Sequence, residues 1–82
     1  MNERLKFQGR LQEKRMDAER LRLRLIGLRD ALRDKLDPFE DVFDIDGDVI
    51  ASEALEFAKT QGGYRAALAV IESIKKALGR EE

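Results

Sequence analysis

Asp37-Pro38-Phe39-Glu40-Asp41-Val42-Phe43-Asp44-Ile45-Asp46-Gly47-Asp48 holds the one proline of this 82-residue chain and separates two long stretches of helical periodicity. Proline disfavours the helical conformation of the residue before it, so a helix arriving from the N-terminal side ends at Leu36 or Asp37. Asp37 as cap, Pro38 in the first helical position and Glu40 three residues after the cap also predict a short helical turn through Val42 or Phe43. Gly47 tolerates a positive φ, and either flanking aspartate, Asp46 or Asp48, can cap the helix that follows.

Working outward, the N-terminal side carries a strip that advances by alternate steps of four and three: Phe7, Leu11, Lys14, Ala18, Leu21, Leu25, Leu28, Leu32, Lys35. Apolar residues at that rhythm, separated by charged and amide side chains, predict one long helix over 3–36 with a coiled-coil seam. The C-terminal side repeats the rhythm at Ile50, Ala54, Phe57, Gln61, Tyr64, Leu68, Ile71, Lys75 and Leu78. This predicts a helix over 49–79, with Gly79 as C-terminal cap and a frayed end beyond it. Ala67, Val70, Ile74 and Ala77 widen its apolar face beyond a two-stranded seam. The fold class is therefore all-α, a long antiparallel helical hairpin in a single domain over 1–82. In that hairpin, facing residues carry numbers that sum to roughly 86. This register sets Leu21 to Leu28 opposite Gly62-Gly63, so the glycines either break the second helix or admit bulky neighbours. Large side chains opposite absent ones favour the continuous or gently bent helix.

A lone pair of helices buries too little surface to be comfortable, since even compact domains near 60 residues cover only about 60% of their unfolded surface. Leu23 and Ile26 lie off the first seam, and Val70 and Ile74 lie off the second. A homodimer, two hairpins pairing into a four-helix bundle, would cover these four self-association candidates. Lys14, Lys35 and Gln61 within the seams would help to fix register.

Composition narrows the chemistry. The chain is 43% hydrophobic and 40% charged, with no cysteine and no histidine. It therefore lacks thiolate clusters, disulfides, imidazole ligands and an imidazole base. The expectation is a protein that is not an enzyme, with no cofactor. No apolar run approaches a membrane span and the first ten residues lack the apolar stretch of a signal peptide, so no membrane partner and a cytoplasmic address are expected.

The near-zero net charge of -1 hides a polar arrangement. Residues 1–36 hold eleven Lys and Arg against six Asp and Glu, 37–48 hold six acids and no base, and 49–82 balance at five against five. Arg20, Arg24, Arg29 and Arg33 offer an alternative function, a nucleic-acid interface on the basic first helix whose phosphate contacts would weaken with salt. Arg20 shares a face with Arg24 and Arg29 with Arg33, but neighbouring arginines fan around the cylinder. A solvated face with intrahelical pairs, such as Asp30 with Arg33, is the favoured reading.

Phe43-Asp44-Ile45-Asp46-Gly47-Asp48 resembles the first motif of the haloacid dehalogenase phosphatases, in which Asp44 would be the nucleophile and Asp46 the acid and base. Asp48 stands where that family has threonine, and the 34 residues that follow cannot hold its remaining motifs, so no catalytic residue is assigned. The same stretch approaches an EF-hand calcium loop: with Gly47 at loop position six, Asp44, Asp46, Val49 and Glu53 fall at three, five, eight and twelve. Val42 occupies the first position, where aspartate is required. Asp44, Asp46, Asp48 and Glu53 thus make only a weak metal candidate, and the plain alternative is an acidic cap favouring the second helix's N-terminus. Phe39, Val42, Phe43 and Ile45 make the connection unusually apolar. They either plug the end of the bundle or, with Phe39 and Phe43 foremost, form a docking knob ringed by acids for a protein partner; the plug is favoured.

Arg4-Leu5-Lys6-Phe7-Gln8-Gly9-Arg10-Leu11, Gly27-Leu28-Arg29-Asp30-Ala31-Leu32-Arg33, Asp37-Pro38-Phe39-Glu40 and Val49-Ile50-Ala51 occur in that order. In this general pattern the chain resembles small uncharacterised proteins encoded in Mu-like transposable prophages. The resemblance implies a phage-related origin and carries no activity, ligand or site residue. The functional expectation is a self-associating helical interaction or scaffolding module.

Overall fold

The computed structural model describes residues 2–80. It is a helical hairpin: α1 spans Asn2–Lys35, α2 spans Gly47–Arg80, and each has 34 residues. The rod measures 63 × 14 × 14 Å. Its width is that of two helices side by side, so one interhelical seam has to supply whatever core exists.

α1 ends where the proline predicts, with the Leu36 amide donating to the Leu32 carbonyl at 3.0 Å as the last helical bond. The connection then departs from the expected helical turn. Asp37 Oδ1 accepts from the Phe39 amide at 2.9 Å, and the Glu40 amide donates to the Asp37 carbonyl at 3.2 Å. Four residues later the pattern repeats: Asp41 Oδ1 accepts from the Phe43 amide at 2.8 Å, and the Asp44 amide donates to the Asp41 carbonyl at 2.9 Å. Two aspartates that hydrogen-bond the backbone two residues ahead give two tight turns in tandem, because that local bond competes with helix propagation.

α2 starts on a side-chain cap. Asp46 Oδ1 accepts from the Val49 amide at 3.1 Å, and its carbonyl accepts from the Ile50 amide, also at 3.1 Å. Gly47 is therefore the first helical residue rather than a left-handed turn residue. Likewise Gly79 lies within α2 and not at a left-handed cap: no described glycine has a positive φ. Of the end expected to fray, 80–82, Arg80 belongs to α2, and Glu81 and Glu82 lie outside the described residues. Gly62 and Gly63 do not break α2.

The seam of α1 is the one read from the sequence: Ala18 is buried and Phe7, Leu11, Lys14, Leu21, Leu25, Leu28, Leu32 and Lys35 are all half-buried. The seam of α2 is only half the expected one. Ile50, Phe57, Tyr64, Ile71 and Leu78 face inward, but the alternate positions are Glu53, Thr60, Ala67 and Ile74 instead of Ala54, Gln61, Leu68 and Lys75. A one-residue shift turns the helix by about 100°, which trades Gln61 and Lys75 for Thr60 and Ile74 and puts the small Ala67 where Leu68 would stand. Ala18, Ala67 and Ile71 form the buried cluster, with Leu11, Leu21 and Tyr64 packed against it.

Candidate functional site

Lys35 at the tip end of α1 pairs with Glu53 of α2, leaving Glu53 Oε2 buried without a partner. Farther along, Arg24 Nη2 donates to Glu56 Oε1 at 2.8 Å. That hydrogen bond, and the charge behind it, hold the Glu56 carboxyl below the ordinary carboxylate range. These two pairs, with Leu21 beside Gly63, agree with the register at which the sequence placed the helices. Of the seam residues expected to help fix register, Lys35 reaches across to Glu53, whereas Lys14 pairs within α1, 3.7 Å from Asp17.

Every arginine proposed for nucleic acid lies close to a carboxylate. Arg20 sits 4.0 Å from Asp17, Arg24 holds Glu56, Arg29 donates to Asp30 at 3.1 Å, and Arg33 lies 4.0 Å from Asp30 and 3.6 Å from Asp34. Such exposed pairs are weak and break readily, yet they leave no contiguous, uncompensated basic stripe among these four.

The acidic candidates for a metal do not converge. Asp46 Oδ1 is occupied as the cap of α2, Glu53 faces Lys35, and among the described residues no group of three carboxylates is arranged to hold a cation. Asp44 and Asp48 are exposed on either side of the cap.

The aromatic tip is not a plug. Phe39 is 95% and Phe43 90% exposed and Val42 stands out with them, and of the four apolar residues expected to close the end only Ile45 is half-buried. Each ring sits in one of the tandem turns, where an aspartate holds the phenylalanine's amide, and neither turn folds back over the helices to cover it.

The four self-association candidates divide. Ile74 is only 3% exposed, the most buried of the core side chains, and it belongs to the hairpin seam. The expectation that it needs a further surface does not hold, because the seam of α2 runs through it. Ile26 and Val70 are half-buried, while Leu23 is 58% exposed. Leu5, Met16 and Leu55 are also more than half exposed.

A surface that sequence reading passed over lies on the outside of α2. Directly opposite its seam, at seven-residue spacing, run Asp48, Leu55, Gly62, Ala69 and Lys76, all exposed. Ala51, Ala58, Arg65 and Glu72 flank them on one side and Ser52, Lys59, Ala66 and Ser73 on the other, all exposed. A Cβ built on Gly62 meets nothing within 4 Å, and one on Gly63 meets only Leu21 Cδ1, at an ordinary 3.8 Å. Each glycine costs about 1 kcal/mol relative to alanine inside a helix, and the hairpin itself has no need of either. The signal was present in the spacing, but it emerges only once the phase of the seam is known.

Among the described residues no helix is long and apolar enough to cross a membrane. Comparison with known protein families, curated proteins and solved structures found no match to this chain.

Proposed function

We propose that this chain is a non-enzymatic, self-associating helical module that works as a homodimer and presents its acidic, aromatic tip to a protein partner. The observation that carries the proposal is surface. The hairpin exposes 6366 Å², whereas a compact monomer of its 9.4 kDa exposes about 5,000 Å². The excess of about 1,400 Å² exceeds what one subunit covers in a standard interface, about 800 Å² per partner. Among the described residues only Ala18, Thr60, Ala67, Ile71 and Ile74 are buried, so the hairpin alone has a narrow core. Docking a second copy would widen it.

The exposed aromatic pair supports the tip as the partner-facing end, since rings held in fixed turns and ringed by acids suit a basic-rimmed apolar groove. A cytoplasmic setting and a phage-related origin, the latter resting on the sequence resemblance, belong to the same proposal. The nucleic-acid alternative is disfavoured by the carboxylate beside each candidate arginine.

Size-exclusion chromatography with light scattering tests the reading. A mass of twice the 9.4 kDa chain is expected at micromolar concentration, and a stably helical monomer would refute self-association. A gel shift at low salt addresses the alternative, with no retardation of duplex DNA or RNA expected.

A further inference from the structure

We propose that two copies pair end over end through the outer face of α2, in an antiparallel helix contact centred on Gly62. The inference rests on the self-association reading and adds the face, the orientation and the register.

The row Asp48, Leu55, Gly62, Ala69, Lys76 is self-complementary about its middle. Laid antiparallel against itself with Gly62 on the two-fold axis, Asp48 meets the partner's Lys76 and Leu55 meets the partner's Ala69. Gly62 then meets the partner's Gly62. Opposite charges are paired twice, and each leucine faces a methyl-sized residue, as interdigitating surfaces require. The two glycines let the backbones approach at the crossing. A parallel arrangement of the same row would set Asp48 against Asp48, Lys76 against Lys76 and leucine against leucine.

The rest of the rod agrees with this direction. The tip, 37–48, carries six acids and no base, while the sequence at the other end of the two helices, 1–15 and 72–82, holds eight Lys and Arg against five Glu. End-over-end pairing brings each negative tip level with the partner's positive end, and parallel pairing brings like ends together. Contact-range charge of this kind selects orientation more than it adds affinity. The outer face of α2 is also sparsely charged: between Ala54 and Ile71 only Glu56, Lys59 and Arg65 are ionised. A second copy is the occupant that matches its own charge pattern and the surface left uncovered by the hairpin.

The absence of cysteine permits a clean test by single-cysteine oxidation of the full chain, alongside light scattering. Gly62→Cys is expected to form a disulfide-linked dimer with itself, because on the axis the two Cα atoms fall within disulfide reach. Leu55→Cys and Ala69→Cys should each stay unlinked alone, their own copies being about 21 Å apart along the axis, and should link when mixed. Asp48→Lys is expected to weaken association roughly tenfold by making two exposed pairs repulsive, and Asp48→Lys with Lys76→Asp should restore it. Self-linking of Leu55→Cys and of Ala69→Cys, with none in the mixture, would overturn the orientation. A dimer by light scattering in which none of the three sites links would overturn the face while leaving self-association standing. A monomer at all concentrations would remove both.

Discussion

Ile74→Ala tests whether the interhelical seam of α2 runs through Ile74 rather than through Leu68 and Lys75. Ile74 is 3% exposed, so the substitution deletes three carbons from a desolvated site at about 0.8 kcal/mol each. The cavity left behind adds to that, and isoleucine-to-alanine changes in cores cost about 2–5 kcal/mol. Because the neighbouring Ala77 and Leu78 are only half-buried, the site can partly collapse, and a loss of about 3 kcal/mol is expected. This is a large part of the total for a chain of this size, about 4–12 kcal/mol. Urea unfolding followed by far-ultraviolet circular dichroism would measure it, with wild type and variant compared at the same protein concentrations so that association does not bias the difference. Leu68→Ala, at a residue left 43% exposed by the hairpin, should cost less. A loss below about 1 kcal/mol at Ile74, or a larger loss at Leu68 than at Ile74, would refute the seam described above.

Gly63→Ala should stabilise the hairpin by about 1 kcal/mol, since its methyl group would meet Leu21 at ordinary contact distance; a rise in melting temperature of about 4–8 °C is the readout, and a fall would mean that something else approaches that backbone. The Glu56 carboxyl titrates below the ordinary carboxylate range because Arg24 donates to it, so this pair contributes stability above that range and loses it as pH falls through the depressed value. Carbon-detected titration of the carboxyl group should show this, and Arg24→Ala should return the midpoint to the ordinary range. Phe39→Ala with Phe43→Ala should leave hairpin stability within about 0.5 kcal/mol, because both rings are exposed; a larger loss in thermal unfolding would place the rings against a surface of the protein itself.

Much of this architecture was legible because the chain repeats one rhythm on either side of one proline. The seam of α1 could be read residue by residue, since Leu21, Leu25, Leu28 and Leu32 keep one unbroken leucine rhythm while Arg22, Arg24, Arg29 and Asp30 mark the solvated positions between them. The phase of α2 could not, because two strips one residue apart both look acceptable: Leu68 and Ala54 on one, Ala67 and Ile74 on the other. What decides between them is the partner helix, whose Ala18 and Leu21 pack with Ala67, Ile71 and Tyr64, and that is tertiary information. The connection was misread for a different reason. Asp37-Pro38-x-Glu40 is a good helix start, but Asp41 arrives four residues later with a side chain able to hold the Phe43 amide, and a second local turn replaces the helix. The self-complementary row of α2 was hidden behind the same phase error, since a face opposite the seam is defined only when the seam is.

The tandem turns at the tip also set the order in which the chain can assemble. Lys35 and Glu53 meet across a separation of 18 residues, whereas Leu11 reaches the cluster that holds Ala67 and Ile71 only after most of the chain has been brought round. Closing a loop of about ten residues takes roughly 10–100 ns, and the entropy lost in closure grows with the logarithm of loop length. Once the short tip loop is closed, each further pair of helical turns docks without a new loop to close. The hairpin therefore zips from the acidic end toward Phe7 and Leu78, an order that φ-values measured at Leu32 and Leu78 would read as early and late. The two aspartates that close the tip turns are thus also the clasp from which folding is expected to start.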